Sequence, residues 1–242
     1  MFQAAFWGSV AGSALLLGAS VGLFFHVSRR MAAYIMAFGT GVLIGAATFE
    51  LLIEATKKGG ILSSSFGFLI GALLFVGLEL FIAKKGGTNR KQSKKNPVGH
   101  SGLAIFVGTM MDAIPESVII GVSLLETDQV SWVIIIAIFI SNFPEGLSSS
   151  IGLKEDGYST LKIYIMWGVA MILSAISAVV GYSIVGGLSD IYVAFIGAFA
   201  AGGIYAMVAS TMLPEAFEDS GPIVGFVSAV GLLTACMLAY IQ

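Results

Sequence analysis

The sequence predicts an all-α membrane protein, and two observations carry that prediction. Of its 242 residues, 57% are hydrophobic and only 11% are charged, whereas soluble domains carry about 25% charged residues. The hydrophobic residues also fall into runs of about 20, which is the length of a helix that crosses a bilayer. We expect one transmembrane domain over residues 1–242, because no hydrophilic segment is large enough to fold alone.

Eight hydrophobic runs predict eight transmembrane helices. The first run lacks the basic segment that opens a signal peptide, so we expect it to be kept as a helix. Residues 84–100 carry six basic residues and no acidic one, which predicts a solvated loop. The runs cover residues 4–25, 32–55, 61–83, 101–125, 130–151, 160–186, 191–217 and 222–241.

Basic residues lie mostly on one side of this predicted bundle. With eight helices the loops alternate sides, and one set of loops holds ten of the twelve Lys and Arg residues. The other set holds only Lys57 and Lys58. Because loops rich in Lys and Arg stay in the cytoplasm, we expect loop 84–100 inside and both termini outside. The single cysteine, Cys236, excludes an internal disulfide and a paired-cysteine metal site.

Two short segments inside hydrophobic runs are variants of one another. Residues 112–117 read Asp-Ala-Ile-Pro-Glu-Ser, and residues 141–146 read Ser-Asn-Phe-Pro-Glu-Gly. An ionisable residue inside a bilayer costs about 3 kcal/mol on insertion scales, so it usually has a function. Each proline also frees the carbonyl of the residue four positions earlier, here Met111 and Ile140. Two carboxylates and two freed carbonyls inside a membrane predict a cation site.

Helical spacing groups the candidate ligands. Residues four apart share a helix face, so Asp112 lies with Glu116, and Ser141 and Asn142 lie with Glu145. If the fourth and fifth helices pack antiparallel, the two faces meet near the bilayer centre. No Lys or Arg lies in the core of any predicted helix, so the carboxylates need a divalent cation or protons as counter-ions. The simpler alternatives are a protonated glutamate, an interhelical hydrogen bond from Asn142 and a packing role for Ser141.

Three further acidic residues are weaker candidates. Glu50 and Glu54 lie near the outer end of the second run, where they are either ligands of an outer vestibule or, for Glu54, a solvated helix end. Glu215 lies near the inner end of the seventh run and is a candidate for the exit path.

The chain also repeats internally. Residues 50–55 read Glu-Leu-Leu-Ile-Glu-Ala and resemble residues 211–216, Thr-Met-Leu-Pro-Glu-Ala. Each matched pair of segments crosses the membrane in opposite directions, as the two Pro-Glu segments do. The sequence therefore predicts a 3+2+3 arrangement related by inversion, and inverted repeats with broken helices are typical of secondary transporters.

These residues and this topology resemble the Zrt/Irt-like (ZIP) divalent-metal transporters, in particular the short prokaryotic members. In that family the fourth helix reads His-Asn-x-Pro-Glu-Gly, and the fifth reads His/Gln-Asn/Asp-x-Pro-Glu-Gly. The resemblance implies eight helices, a binuclear metal centre and a prokaryotic plasma membrane. It implies divalent metal ions and the lipid bilayer as partners and no nucleic acid, and it leaves a homodimer open.

The departures from the family pattern change the expected chemistry. Asp112 and Ala113 stand where the family has His-Asn, Ser141 stands for His/Gln, and Ser174 stands where short members often carry a glutamate. The second metal site therefore looks depleted. Oxygen donors suit manganese, magnesium or calcium, whereas imidazole suits zinc, so this site leans toward harder or less selective binding than the zinc or iron that the family implies.

The resulting expectation is a secondary transporter that moves zinc, iron, manganese, cadmium or a similar divalent cation by alternating access. It is not an enzyme and has no prosthetic group. The alternative is a ZIP-fold protein that binds metal but has lost transport and serves as a sensor or scaffold. An intramembrane enzyme with a carboxylate dyad is disfavoured, because Asp112 is the single aspartate in a predicted helix core.

Overall fold

The computed structural model describes residues 1–25, 27–82, 101–127, 131–185 and 188–241, and all regular structure within those ranges is helical. The all-α prediction is therefore confirmed for them. Loop 84–100, His26 and His100 lie outside the described residues, as does the side chain of Asp112. In chain order the α-helices are α1 Phe2–Phe24, α2 Arg29–Ala46, α3 Ile53–Ile82, α4 Ser101–Thr127, α5 Trp132–Glu155, α6 Thr160–Val185, α7 Asp190–Met207, α8 Leu213–Ser220 and α9 Ile223–Ile241.

Two π-helical turns join neighbouring helices. Ala47–Leu52 connects α2 to α3, and Val208–Met212 connects α7 to α8. Such turns are rare and are often found at functional sites. The segments 50–55 and 211–216 resemble each other in sequence, and each π-helical turn begins three residues before its segment and overlaps its start.

Among the described residues, six helical segments are long and apolar enough to cross a membrane. One of them, Arg29–Phe81, has 53 residues, which exceeds the roughly 20 that one crossing needs. Gly60 interrupts it with a non-helical φ of 77°, a conformation that glycine adopts without a steric penalty. The interruption coincides with the predicted break between runs 32–55 and 61–83. α4 is not among the six segments.

The helices pack in two groups. The first, which we call the motif group, consists of α1, α4, α5 and α6, and α1 packs closely against both α5 and α6. The second group consists of α2, α3 and α7–α9, in which α3 packs along α7, and α2 along α9. The broadest contact between the groups joins α2 to α5.

Pairs of contacts fix the helix directions inside the motif group. Gly18 and Gly22 of α1 lie against Phe143 and Leu147 of α5, so α1 and α5 run parallel. α1 and α6 run antiparallel, because Gly8 lies against Ala178 and Tyr164 donates a hydrogen bond to Ser20.

The direction of α4 follows from its contacts with α6. Phe106 packs on Trp167 with ring centroids 5.7 Å apart, and Gly121 lies against Ala178, so α4 and α6 run parallel. α6 runs antiparallel to α1, and α1 runs parallel to α5. The two Pro-Glu helices, α4 and α5, therefore run antiparallel, which is the arrangement that the cation-site prediction assumed.

Candidate metal site

Both Pro-Glu carboxylates lie in the interior of the protein. Glu116 of α4 is 2% exposed and Glu145 of α5 is 3% exposed. Neither glutamate is close to a lysine or arginine in sequence, since the motif-group helices carry Lys154 and Lys162 near helix ends and no other basic residue. Burial of two such groups is costly unless a cation or protons compensate them.

The middle of α1 contacts residues of both α5 and α6 next to the two carboxylates' helices. The Asn142 amide of α5 donates to the backbone oxygen of Ala11 over 3.2 Å. On the next turn, Gly146 lies directly against the backbone of Leu15, and a Cβ there would collide with it. Ser174 of α6 approaches the same part of α1, because a Cβ at Gly12 would lie 3.2 Å from its hydroxyl oxygen. Asn142 and Ser174 therefore lie at the same height along the axis of α1, beside Ala11 and Gly12.

Two buried oxygen atoms at this level have no hydrogen-bond partner among the described residues. They are Oδ1 of Asn142 and Oγ of Ser174. A buried polar atom in that condition usually interacts with a water or an ion. Ser174 stands where short ZIP members often carry a glutamate, and its hydroxyl oxygen lies in the interior next to α1. Oxygen donors are therefore available beyond the two carboxylates.

Two other groups of α5 were predicted to join the cation site, the Ser141 hydroxyl and the Ile140 carbonyl. Ser141 is buried, but its hydroxyl donates to the backbone oxygen of Ile138 within its own helix, over 3.0 Å. Pro144 lies inside α5 as expected. The backbone oxygen of Ile140, which Pro144 frees, lies against Gly39 of α2, where a Cβ would be 3.2 Å away. This carbonyl therefore lies at the contact between α5 and α2, and its part in the cation site stays a prediction.

Asp112 lies on α4, one turn before Glu116, and only its backbone belongs to the described part of the structure. Among the described residues, no three His, Cys, Asp or Glu side chains come together as a metal-binding group. That search does not include the Asp112 side chain, so the predicted set of three carboxylates stays a prediction.

We call the surroundings of Glu116 and Glu145 the central site, and Glu215 lies closer to it than its sequence position suggested. Oε1 of Glu215, on α8, accepts a hydrogen bond from Ser148 of α5 over 3.4 Å. Ser148 follows Glu145 by three residues and so shares its helix face. The sequence pattern did not predict this contact, although the three-residue spacing of Ser148 from Glu145 was the one signal that pointed to Ser148.

Glu50 and Glu54 lie far from the central site. Oε2 of Glu50 accepts a hydrogen bond from Ser131 over 2.8 Å. Ser131 precedes Glu145 by fourteen residues, or about 21 Å along a helix. Glu54 forms a 2.6 Å ion pair with Lys57, which fits the alternative of a solvated helix end. Both glutamates line a cavity of about 550 Å³, together with Cys236, which we call the outer vestibule.

Comparison with known proteins gives one relevant similarity. No protein-family model matches the chain. A curated Arabidopsis thaliana protein named "Putative zinc transporter At3g08650" is 26% identical over 208 residues, which are 85% of this chain and 33% of the plant protein. The chain thus spans about a third of the length of the curated relative that it matches. This similarity and the six apolar helices support an integral membrane protein.

Proposed function

We propose that this protein is a secondary transporter that moves divalent metal cations across the membrane by alternating access. The observation that carries the proposal is the pair of buried carboxylates, Glu116 and Glu145, each directly after a proline on antiparallel helices of one group. The similarity to a plant protein named as a zinc transporter points to the same class of substrate.

The central site binds one principal cation between Glu116 and Glu145. Asp112, one turn before Glu116, adds a third carboxylate, and Asn142 adds an amide oxygen. Ala113 and Ser174 replace stronger ligands at the positions where the resemblance implies a second metal, so the second site is weak. The all-oxygen donor set accepts zinc, iron, manganese or cadmium with little discrimination.

Alternating access requires that the two helix groups move relative to each other. The described contacts between them include two hydrogen bonds to the second group. Ser131, the N-cap residue of α5, donates to Glu50, and Ser148 of α5 donates to Glu215. Glu50 belongs to the outer vestibule and binds the cation as it enters. Glu215 lies on the exit path and binds the cation after it leaves the central site. Movement of α5 past the second group breaks one or both hydrogen bonds.

The transporter has eight spans in a 3+2+3 inverted repeat, with both termini outside and loop 84–100 in the cytoplasm. Gly60 supports a seventh span, because it divides Arg29–Phe81 into two helices of spanning length. The eighth span is α4, whose 27 residues are enough for one crossing. The π-helical turns Ala47–Leu52 and Val208–Met212 support the repeat, because they occupy matching positions in the two related segments. The prokaryotic plasma membrane and the assignment to the short ZIP type belong to this proposal.

The alternative is a protein of the same fold that binds metal without transporting it, and the weakened second site favours it. Uptake and binding measured on one preparation separate the two functions. We expect proteoliposomes to accumulate Zn²⁺, Fe²⁺, Mn²⁺ or Cd²⁺, and the purified protein to bind the same ions. Binding without uptake for all four ions establishes the alternative, and the absence of both contradicts the proposal.

A further inference from the structure

A cavity of about 240 Å³, which we call the intergroup groove, lies where the two helix groups meet. Residues 71–78 of α3 and 199–207 of α7 form the part of its wall that belongs to the second group. α4 of the motif group contributes Ile114 and Glu116. A molecule in the intergroup groove therefore contacts both helix groups.

The intergroup groove follows the direction of the helices that line it. α3 and α7 run parallel, because Gly71 lies against Phe199 and, further along both helices, Ser210 donates a hydrogen bond to Glu79. The wall covers about seven residues of each helix, or roughly 10 Å, so the mean cross-section of the intergroup groove is about 24 Å². This space suits one hydrocarbon chain, and the chains of membrane lipids lie in the same direction as the helices.

The wall offers hydrocarbon rather than polar atoms. Apart from Glu116, the described residues of the wall are apolar or glycine. Both carboxylate oxygens of Glu116 are buried within the protein, so they present no charge to a molecule in the intergroup groove. A water in a cavity needs two to four polar partners, and this wall does not supply them. The chemistry therefore favours an uncharged, apolar ligand.

The intergroup groove is open to the hydrocarbon region of the membrane. Leu74 and Leu78 of α3 and Ile114 of α4 belong to its wall and are also exposed on the protein surface. All three belong to apolar helices, so this surface contacts lipid tails. A lipid chain can thus enter between α3 and α4 without leaving the hydrocarbon region.

We propose that the intergroup groove binds one acyl chain of a membrane phospholipid, which enters between α3 and α4 and lies along α7. An empty apolar groove forfeits dispersion contacts on its whole wall, and the chain restores them. Because the chain contacts both helix groups, it stabilises the arrangement of the groups in which the intergroup groove is open. The inference goes beyond the transport proposal, since it holds whichever ion crosses the membrane.

Photolabelling in lipid nanodiscs tests where the chain lies. The probe is phosphatidylcholine that carries a diazirine near the end of one acyl chain, and the labelled residues of the full-length protein are identified by mass spectrometry. Ile204 and Met207 line the intergroup groove and are 6% and 2% exposed, whereas Leu73 lies outside the wall and is 72% exposed. We expect label at Ile204 and Met207 as well as at Leu73, because a chain within the intergroup groove reaches the two buried residues.

Two glycines of α7 provide a matched pair of variants. A Cβ at Gly203, which lines the intergroup groove, has one neighbour within 4 Å, the Gly71 oxygen at 3.9 Å. A Cβ at Gly197, which is not part of the wall, likewise has one, the Leu51 oxygen at 4.0 Å. G203V therefore fills part of the intergroup groove, whereas G197V adds the same side chain elsewhere on the same helix.

The variants should separate the buried residues from the exposed one. Labelling of Ile204 and Met207 should fall by about tenfold in G203V, because overpacking disfavours the chain, and should stay unchanged in G197V. Labelling of Leu73 should be the same in all three proteins. Label at Leu73 without label at Ile204 or Met207 in the parent protein overturns the inference, and this result requires no variant to fold. Undiminished labelling of the buried pair in folded G203V overturns it as well.

Two further measurements identify the source of the chain and separate this inference from the proposed function. If a diazirine fatty acid labels the buried pair and the phosphatidylcholine probe does not, the assignment to a phospholipid is wrong. If the buried pair is labelled but the parent protein takes up no metal in proteoliposomes, the lipid site stands and the transport proposal fails. Metal uptake without label at the buried pair gives the opposite result.

Discussion

At the scale of single residues, the donor atoms determine which ion the site prefers. Asp112 stands where the ZIP pattern has a histidine, and a carboxylate favours any divalent ion, whereas imidazole favours zinc. We predict that D112H shifts the preference toward zinc relative to manganese by a factor of about 10, or 1.4 kcal/mol. Competitive uptake of the two ions by parent and variant measures this shift. An unchanged ratio means that Asp112 is not a ligand.

The number of bound ions is a second prediction at this scale. Ala113 provides no donor atom, and Ser174 provides one neutral oxygen in place of a carboxylate. We therefore expect one principal cation at Glu116 and Glu145 rather than two of equal occupancy. Anomalous diffraction from crystals grown with the metal counts the ions directly, and two strong peaks a few Å apart beside Glu116 contradict this expectation.

At the scale of helices, close packing of α1 on α5 holds Asn142 and Glu145 at the middle of the motif group. Gly146 lies against the backbone of Leu15, so a methyl group in G146A collides with main chain that has little freedom to move. We predict that G146A lowers the free energy of unfolding by about 1–3 kcal/mol, the usual effect of overpacking. Thermal unfolding in detergent measures this change.

G168A is the matched control for that prediction, because Gly168 is also inside a helix but a Cβ there has no neighbour within 4 Å. Alanine is favoured over glycine in a helix by roughly 0.5–1 kcal/mol, so G168A should be neutral or stabilising. Equal destabilisation by both variants assigns the effect to the membrane environment or the detergent rather than to the α1–α5 contact.

Features of one helix were predictable from the sequence, whereas contacts between distant helices were not. Hydrophobic run length predicted the bounds of five helices to within four residues, namely α1, α4, α5, α6 and α9. The polar break near Gly60 marked an interruption, but run length did not predict the two π-helical turns. Ser148 and Glu215 are 67 residues apart, and no local pattern indicates that α5 and α8 meet there. The cavity beside Glu116 likewise arises from the approach of α3, α4 and α7, which spacing along one helix does not describe.

At the scale of the whole molecule, membrane orientation can be measured with the cysteine that the protein already has. Cys236 is the one cysteine of the sequence, and it is exposed and lines the outer vestibule with Glu50 and Glu54. The distribution of Lys and Arg predicts that this vestibule lies outside the cell. We predict that a membrane-impermeant maleimide labels Cys236 in intact cells.

The same reagent tests the vestibule as a route for the cation. Zinc bound at Glu50 should slow the labelling of Cys236, and E50Q should remove that protection. Labelling that occurs only after the cells are opened reverses the orientation, and protection that persists in E50Q excludes Glu50 from the route. The C236S variant reports labelling of groups other than this thiol.

The central claim is that one cation crosses the membrane through Glu116 and Glu145, and the most direct measurement is metal uptake by proteoliposomes containing E145A. The matched control is E155A, since Glu155 is a glutamate of the same helix α5 but is exposed at its end. We predict that E145A folds, because the change removes a ligand rather than a large apolar group, and that its uptake falls to the level of empty liposomes. E155A should retain the uptake of the parent. Full uptake of Zn²⁺, Fe²⁺, Mn²⁺ and Cd²⁺ by folded E145A would contradict the account.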